Sequence, residues 1–519
     1  CACYLARAGL AVRVLERRDV LGGAAVTEEF HPGFRNSVAS YTVSLLHAKV
    51  IEDLNLAAHG LRILERPMAN FLPLPDGDCL AIANDTAAVQ AEIARFSRRD
   101  AERLPAYYAM LDRVCAPLRK LLLETPPNVG GGLRDAFAAL KAGAGLRRLS
   151  MPERRDLFEL FTRSAADMLE QWFESEPVRA LFAFDAVVGS YTSPYAAGSA
   201  YVLLHHVMGE VNGKRGSWGH AVGGMGAISQ AIAREAEARG VELSTGAAVG
   251  RIRTRDGAAT GVVLEDGTEI AASCVVANVN PKLLYLELVD PGDLDEDFLH
   301  RMRGYRCGSA TFRMNVALAE LPSFACRPGT DPAAHHKSGI IIAPSLGYME
   351  RAYAEARAAG WSSQPIIEML IPSTVDDSLA PPGAHVASLF CQHFAPELPG
   401  ARSWDEARAA AAETVIDTVN RLAPNFRASI IARQVLSPLD LEREFGLTGG
   451  DIFHGALGLD QLWSARPVLG FGNYRAPIAG LYLCGAGAHP GGGVTGLPGH
   501  NAAREILRDR RRAPGVRTR

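Results

Sequence analysis

A chain of 519 residues, 48% hydrophobic and 21% charged, holds ample apolar material for several cores, and its length suggests two to four domains. A net charge of −3, from 54 basic and 57 acidic side chains, argues against nucleic acid as the main partner. No apolar run reaches the ~18 residues of a spanning helix, so no transmembrane segment is expected, and peripheral membrane contact stays possible. The nine cysteines are scattered, as reduced thiols would be. Their spacing suggests no redox dithiol or zinc knuckle, and no metal site is expected.

In chain order, residues 1–9 read as the end of a helix closed by Gly9, and Ala11 to Glu16 as a strand ending in an acid. An acid there is typical of the second strand of a dinucleotide-binding βαβ unit, about 20 residues after a glycine loop, where it accepts hydrogen bonds from a ribose. Counting back lands before residue 1, so the first strand and its GxGxxG are expected to be missing from this chain. Leu21-Gly22-Gly23 follows at once, and a Gly-Gly lets a second backbone segment close over a cofactor. Arg35, Ser37 and Ser40 are candidates to face that cofactor. From about 84 to 185 the pattern is helical, with solvated charged faces and breaks at 128–132 and 143–145. The less polar segment 192–209 is suited to lining a substrate cavity, with His205 and His206 as core or pocket histidines. Gly224-x-Gly226 opens a helix and predicts a close helix-to-cofactor contact rather than a separate nucleotide site.

Three short strands follow between 241 and 270, with Asp256-Gly257 and Asp266-Gly267 as hairpin turns, and then a buried strand from Cys274. Beyond 285, segments 310–318, 365–371 and 385–392 alternate as strands of one antiparallel sheet. Trp404 to Leu422 reads as a helix. Leu481 to Leu483 is a buried strand that breaks into seven glycines between Gly485 and Gly499, with a helix beginning near His500. Amide groups bunched before a helix suit a phosphate or a flat, electron-rich acceptor.

Glu16 with Leu21-Gly-Gly23, the Gly223-Gly-Met-Gly-Ala-Ile228 segment, Val275-Val-Ala-Asn278 and the closing Leu481-to-Gly493 stretch resemble the FAD-dependent phytoene desaturase and carotenoid isomerase superfamily over essentially the whole chain. The resemblance implies an α/β fold: a Rossmann-like FAD-binding domain of glutathione-reductase type built from discontinuous segments, with an inserted α+β substrate domain. Residues 1–70, 215–284 and 445–507 would form the first, 71–214 and 285–444 the second, and 508–519 a disordered basic tail. Cofactor contacts would come from Glu16, Gly22, Gly23, the backbone of Val249, Gly485, Gly487, Gly492, Gly493, Val494 and Thr495. His454, Arg466 and His489, near the last loop in sequence, are the pocket candidates for catalysis. Ala24 departs from the arginine many relatives carry after the Gly-Gly, and the absence of Cys-x4-Cys argues against disulfide reduction.

The function implied is an FAD-dependent oxidoreductase passing a hydride from a small apolar substrate to flavin N5. Three alternatives stay open: a redox-neutral polyene isomerase, a flavin-stabilised regulatory protein of mitochondrial type, and an amine oxidase. The compartment would be the cytoplasm for a bacterial source and the mitochondrial matrix for a eukaryotic one. No motif speaks to the oligomeric state.

Overall fold

Gly9, at φ +84°, stops the helix Ala2–Arg7 and turns the chain into the strand Arg13–Leu15. In this computed structural model, which describes residues 1–512 apart from Arg148, that strand runs parallel to Glu242–Ser244. Parallel neighbours need a crossover, and the helix Gly226–Ala238 returns the chain to the second strand. A second parallel pair joins Val275–Ala277 to Leu481–Leu483, and the helix Leu497–Arg510 packs back on Ala2–Arg7. Between the pairs in sequence lies an antiparallel sheet of Val249–Arg255, Ala258–Leu264 and Glu269–Ala271. Asp256 and Gly257, at φ +50° and +73°, supply the two positive values its first hairpin turn demands.

The other half is a seven-stranded sheet, in the order Ile430–Leu436, Phe312–Leu318, His385–Phe394, Trp361–Leu370, Gly339–Ile342, Asn70–Pro73, Cys79–Ile82. It is antiparallel except where Gly339–Ile342 meets Asn70–Pro73. Successive side chains alternate faces, so Phe312, Met314, Val316 and Leu318 pack with Val415, Ile416 and Val419 of the helix Trp404–Leu422. Part of the opposite face, through Leu72, Ile341, Ile366 and Phe390, meets the helices between Thr86 and Val207. Near its centre that face is polar: Arg313, Asn315, Glu368 and Gln392 are all buried there.

Several expectations are amended. The last helix begins at Leu497, ahead of His500, because Gly496 at φ +72° caps it and Pro498 fits its first turn. It also runs on through Arg508 to Arg510, into the stretch expected to be disordered; residues 513–519 lie outside the described residues. Four strands of the large sheet, Asn70–Pro73, Cys79–Ile82, Gly339–Ile342 and Ile430–Leu436, were not apparent from alternation. Tyr285, Phe298, Met302 and Tyr305 pack with Ile252 and Leu481, which places the chain up to Tyr305 with the first half, past the expected boundary at 284.

The last helix is anchored by Arg475, which donates to both oxygens of Asp509 (2.7 and 2.8 Å) and to Glu505 (2.9 Å); Tyr482 donates to Asp509 as well. Glu505 is 2% exposed. Arg508 also donates to Glu505 (2.7 Å), so that carboxylate keeps one cation when Arg475 is lost, and Arg475→Met should cost about 1–3 kcal/mol through the charge-assisted hydrogen bonds removed. Urea unfolding checks this: a lower midpoint at unchanged slope is expected.

Candidate flavin site

Gly22 and Gly23, at φ +138° and +54°, carry the chain from the Glu16 strand into the hairpin of Thr27–His31 and Phe34–Ser37. One Glu16 carboxylate oxygen accepts from the Arg18 amide at 2.9 Å; the other has no partner among the described residues. A Cβ at Gly22 would sit 2.6 Å from the Ala25 carbonyl oxygen, whereas one at Gly23 would meet open space. Gly22 is therefore required by the protein's own packing, and Gly23 borders free volume. Val249 begins an edge strand of the three-stranded sheet and packs beside Leu15 and Leu264 in the first-half core.

The Gly224-x-Gly226 helix start packs against the Gly-Gly hairpin, and Gly223, Gly226 and Ala227 also border a small cavity. Ser37 accepts from the Met225 amide (2.9 Å), Thr27 from Gly226 (3.0 Å) and Asp376 from Gly223 (2.7 Å). With its first amides so occupied, this helix end offers no anion site. Arg35 lines a small cavity of about 280 Å³ next to Gly223 and Thr27, while the Ser37 hydroxyl serves the helix.

Residues 38–47 are stitched to everything around them. Val38 and Ser40 donate to Val26 and Ala24, Val43 pairs with Gly219, and the His47 amide donates to Thr495 O. The Tyr41 hydroxyl donates to Glu368 (2.5 Å), beside Arg66 at 3.6 Å from the same residue, which ties the segment to the large sheet. Burial first, then the Glu368 charge, raises the Tyr41 pKa well above its ordinary value.

The glycine loop is packed too closely for side chains: a Cβ at Gly485 would strike Asn278, one at Gly487 Pro281, one at Gly492 Phe453 and one at Gly493 Leu45. The amides of Gly492, Gly493, Val494 and Thr495 donate to no acceptor among the described residues. Such consecutive unpaired donors ahead of a helix form a concave anion-seeking surface. They adjoin a cavity of about 640 Å³ to which Gly492 and Thr495 belong. Leu45, Leu118, Leu122, Leu157, Phe161 and Tyr201 make up much of its apolar wall.

Of the three catalytic candidates, the structure brings only His489 to this cavity. Its Nε2 donates to Leu121 O (3.0 Å), and burial pushes its pKa down to about 3, so the ring is neutral. His454 lies outside the cavity lining; burial, aided by Arg466, lowers it to about 4, and its Nδ1 is buried without a partner. Arg466, fully buried, spends its donors on main-chain carbonyls: Phe453 (2.6 Å), Ala486 (2.9 and 3.1 Å) and Gln461 (3.1 Å), with Gly455 and Ala456 close by. That geometry is a clamp and leaves no donor for a substrate. His205 is the residue to add. It lines the cavity, its Nδ1 has no partner, and burial lowers its pKa to about 3. The segment expected to line a cavity does so through Tyr201, His205, Met208 and Gly209. The walls from Leu45, Leu118 and Leu462 had no sequence signal, since each is an ordinary apolar residue far from the others along the chain.

The unpaired amides, the free Glu16 oxygen and the open Gly23 suit a dinucleotide with a flat, electron-rich end. A model of the family described as flavin containing amine oxidoreductase matches residues 1–311. This chain belongs to that family. It is 41% identical to pyridine nucleotide-disulfide oxidoreductase domain-containing protein 2 of Rattus norvegicus, over 98% of this chain and 91% of that protein. It is 26% identical to a lycopene-forming phytoene desaturase of Pantoea ananas, over 96% and 94% of the two chains. A solved oxidoreductase from Methanosarcina mazei shares the fold, with a TM-score of 0.62 at 17% identity over 98% and 96% of the chains. As a flavin-family oxidoreductase the protein is an enzyme and its cofactor is FAD.

Two outcomes test this geometry. Gly23→Ala should cost about 1–2 kcal/mol, the strain of an L-residue at positive φ. Gly22→Ala adds a clash with the Ala25 backbone and should cost more, with a larger loss of bound flavin. Comparing flavin absorbance per protein and thermal midpoint in the two variants decides it. The second outcome concerns pH. Burial lowers His205, His393 and His489 to about 3 and His335 and His454 to about 4, so the unfolded chain binds more protons below its ordinary histidine pKa. Stability should be full above pH ~7 and fall as pH drops from ~6.5 toward 4. Asp185, raised to about 7 mainly by burial, opposes the trend by about one proton. Unfolding midpoints across this range check the sign, and His205→Phe should flatten the slope by about one proton.

Proposed function

We propose that this enzyme oxidises an uncharged, apolar substrate by hydride transfer to its flavin. The observation that carries the reading is the cavity at the glycine loop, whose wall is mainly apolar, with leucine its commonest residue. Bound FAD would supply the chemistry, a two-electron acceptor able to take a hydride, that is, a proton with two electrons. The residues of this chain would do the rest. The Gly492–Thr495 amides would hold the cofactor edge on which negative charge gathers, a task that fixed donors perform without reorganisation. Glu16 would accept hydrogen bonds from the ribose through its free oxygen.

His205 and His489, both neutral, add no charge to the wall, and the apolar side chains exclude water from the reacting carbon. A cationic amine would find Glu210 as the single carboxylate of the lining, against Arg119 and Arg154. The names of two relatives point the same way: a limonene dehydrogenase component from Castellaniella defragrans and the Pantoea phytoene desaturase are each named for a hydrocarbon.

Anaerobic mixing of the holoenzyme with apolar alkenes, amines and reduced nicotinamides tests the proposal. Bleaching of the flavin by alkenes, with a product two hydrogens lighter, is the expected result. Bleaching by amines alone, or an alkene product of unchanged mass, would overturn it.

A further inference from the structure

Six large apolar side chains lie open along one stretch of chain: Val129, Leu133, Phe137, Leu140, Met151 and Phe158, from 55% exposed at Met151 to 92% at Leu133. The other large hydrophobics left open among the described residues, Tyr195, Ile431, Leu459 and Leu469, are scattered singly, which is ordinary for a surface. On the helix Leu133–Arg147 the spacing of Leu133, Phe137 and Leu140 is four and then three, so at about 100° per residue they form one stripe. Ala142 and Leu146 fall on the opposite side of the same helix, with Gly143 on the flank, and all three line the large cavity. A helix apolar on two faces is ordinarily covered on both; this one is covered only toward the cavity. From the helix Met151–Thr162, Phe158 is 68% exposed and is also a cavity wall, so the outer patch and the cavity are continuous.

The charge around this patch runs against that of the chain. Between residues 129 and 163 there are seven Lys and Arg and four Asp and Glu, in a protein of net charge −3. Lys141, Arg147, Arg154 and Arg155 are exposed, and Arg154 donates to Arg147 O (2.7 Å), binding the two helices together. An apolar stripe with a basic fringe fits a surface that is anionic outside and apolar just beneath. We propose that the outward face of these two helices seats the enzyme on an anionic lipid bilayer, with Leu133, Phe137 and Leu140 entering the headgroup–acyl boundary. A route for substrate past Phe158, from membrane to cavity, follows if the apolar-substrate reading holds. The docking itself stands without that reading.

Flotation of the flavin-loaded protein with vesicles tests it, using phosphatidylcholine alone and phosphatidylcholine mixed with phosphatidylglycerol. Association with the mixed vesicles is expected, weaker by about tenfold on phosphatidylcholine alone and weakened by salt. The triple variant Leu133→Ser, Phe137→Ser, Leu140→Ser should lose at least about tenfold in association. Its flavin absorbance should be unchanged, because none of the three side chains lines the cavity. Ile431→Ser, at an isolated exposed site, should bind as the unchanged protein does. Failure to float with either vesicle would overturn the proposal, as would undiminished flotation of the triple variant. So would a change of oligomeric state on making the triple variant in lipid-free solution, which would assign the face to a second copy. Should alkenes fail to bleach the flavin while flotation persists, the substrate reading falls and the docking surface remains.

Discussion

A guanidinium sealed from solvent organises the site. Arg466 donates to the carbonyls of Phe453, Gln461 and Ala486, holding the 453–461 loop against the glycine loop. Phe453 then occupies the space a side chain at Gly492 would need, and it lies edge-on to His205 across 5.7 Å. One buried cation therefore bears on two things: the course of the glycine loop and, through Phe453, the position of a cavity histidine. Carbonyl partners suit this role, since several partial charges around a delocalised cation satisfy it in the interior without a second ion.

The two halves meet through a polar layer. Asn36 donates to Asn315, and Asn315 donates to Gln434; Tyr41 and Arg66 close on Glu368, and Arg313 lies 4.5 Å from the centre of the Tyr41 ring. Apolar contacts would tolerate sliding between the halves, but buried hydrogen bonds lose their full worth when displaced. Because residues 38–47 belong to this layer and also donate to Thr495 O from the His47 amide, the wall of the cavity and the glycine loop are fixed to one frame.

Acidity in this interior is governed mainly by burial. His205, His454 and His489 are all kept neutral by desolvation, with Arg466 adding a smaller push in the same direction. Near the cavity, charge is thus confined to a few arginines and Glu210, in keeping with chemistry on an uncharged substrate.

Much of the first half was legible along the chain, because its signals are local. A strand ending at Glu16, the Gly22-Gly23 pair, the Asp256-Gly257 turn and the run from Leu481 into Gly485 each follow from backbone conformation within a few residues. Alternation marked Phe312–Leu318 and His385–Phe394 for the same reason, and residues 192–209 could be read as cavity lining from composition. Nearness in sequence did not assign roles: His454 and Arg466 flank the loop along the chain, yet one lies away from the cavity and the other is spent on carbonyls. The strands Asn70–Pro73 and Gly339–Ile342 were hidden because each is made a strand by a partner far away in sequence. The sequence by itself determined the kind of cofactor and the turns that its glycines make. Only tertiary structure decided which amides stay unpaired, which histidine meets the cavity and which apolar face is left uncovered, because those properties belong to contacts between segments that no local spacing encodes.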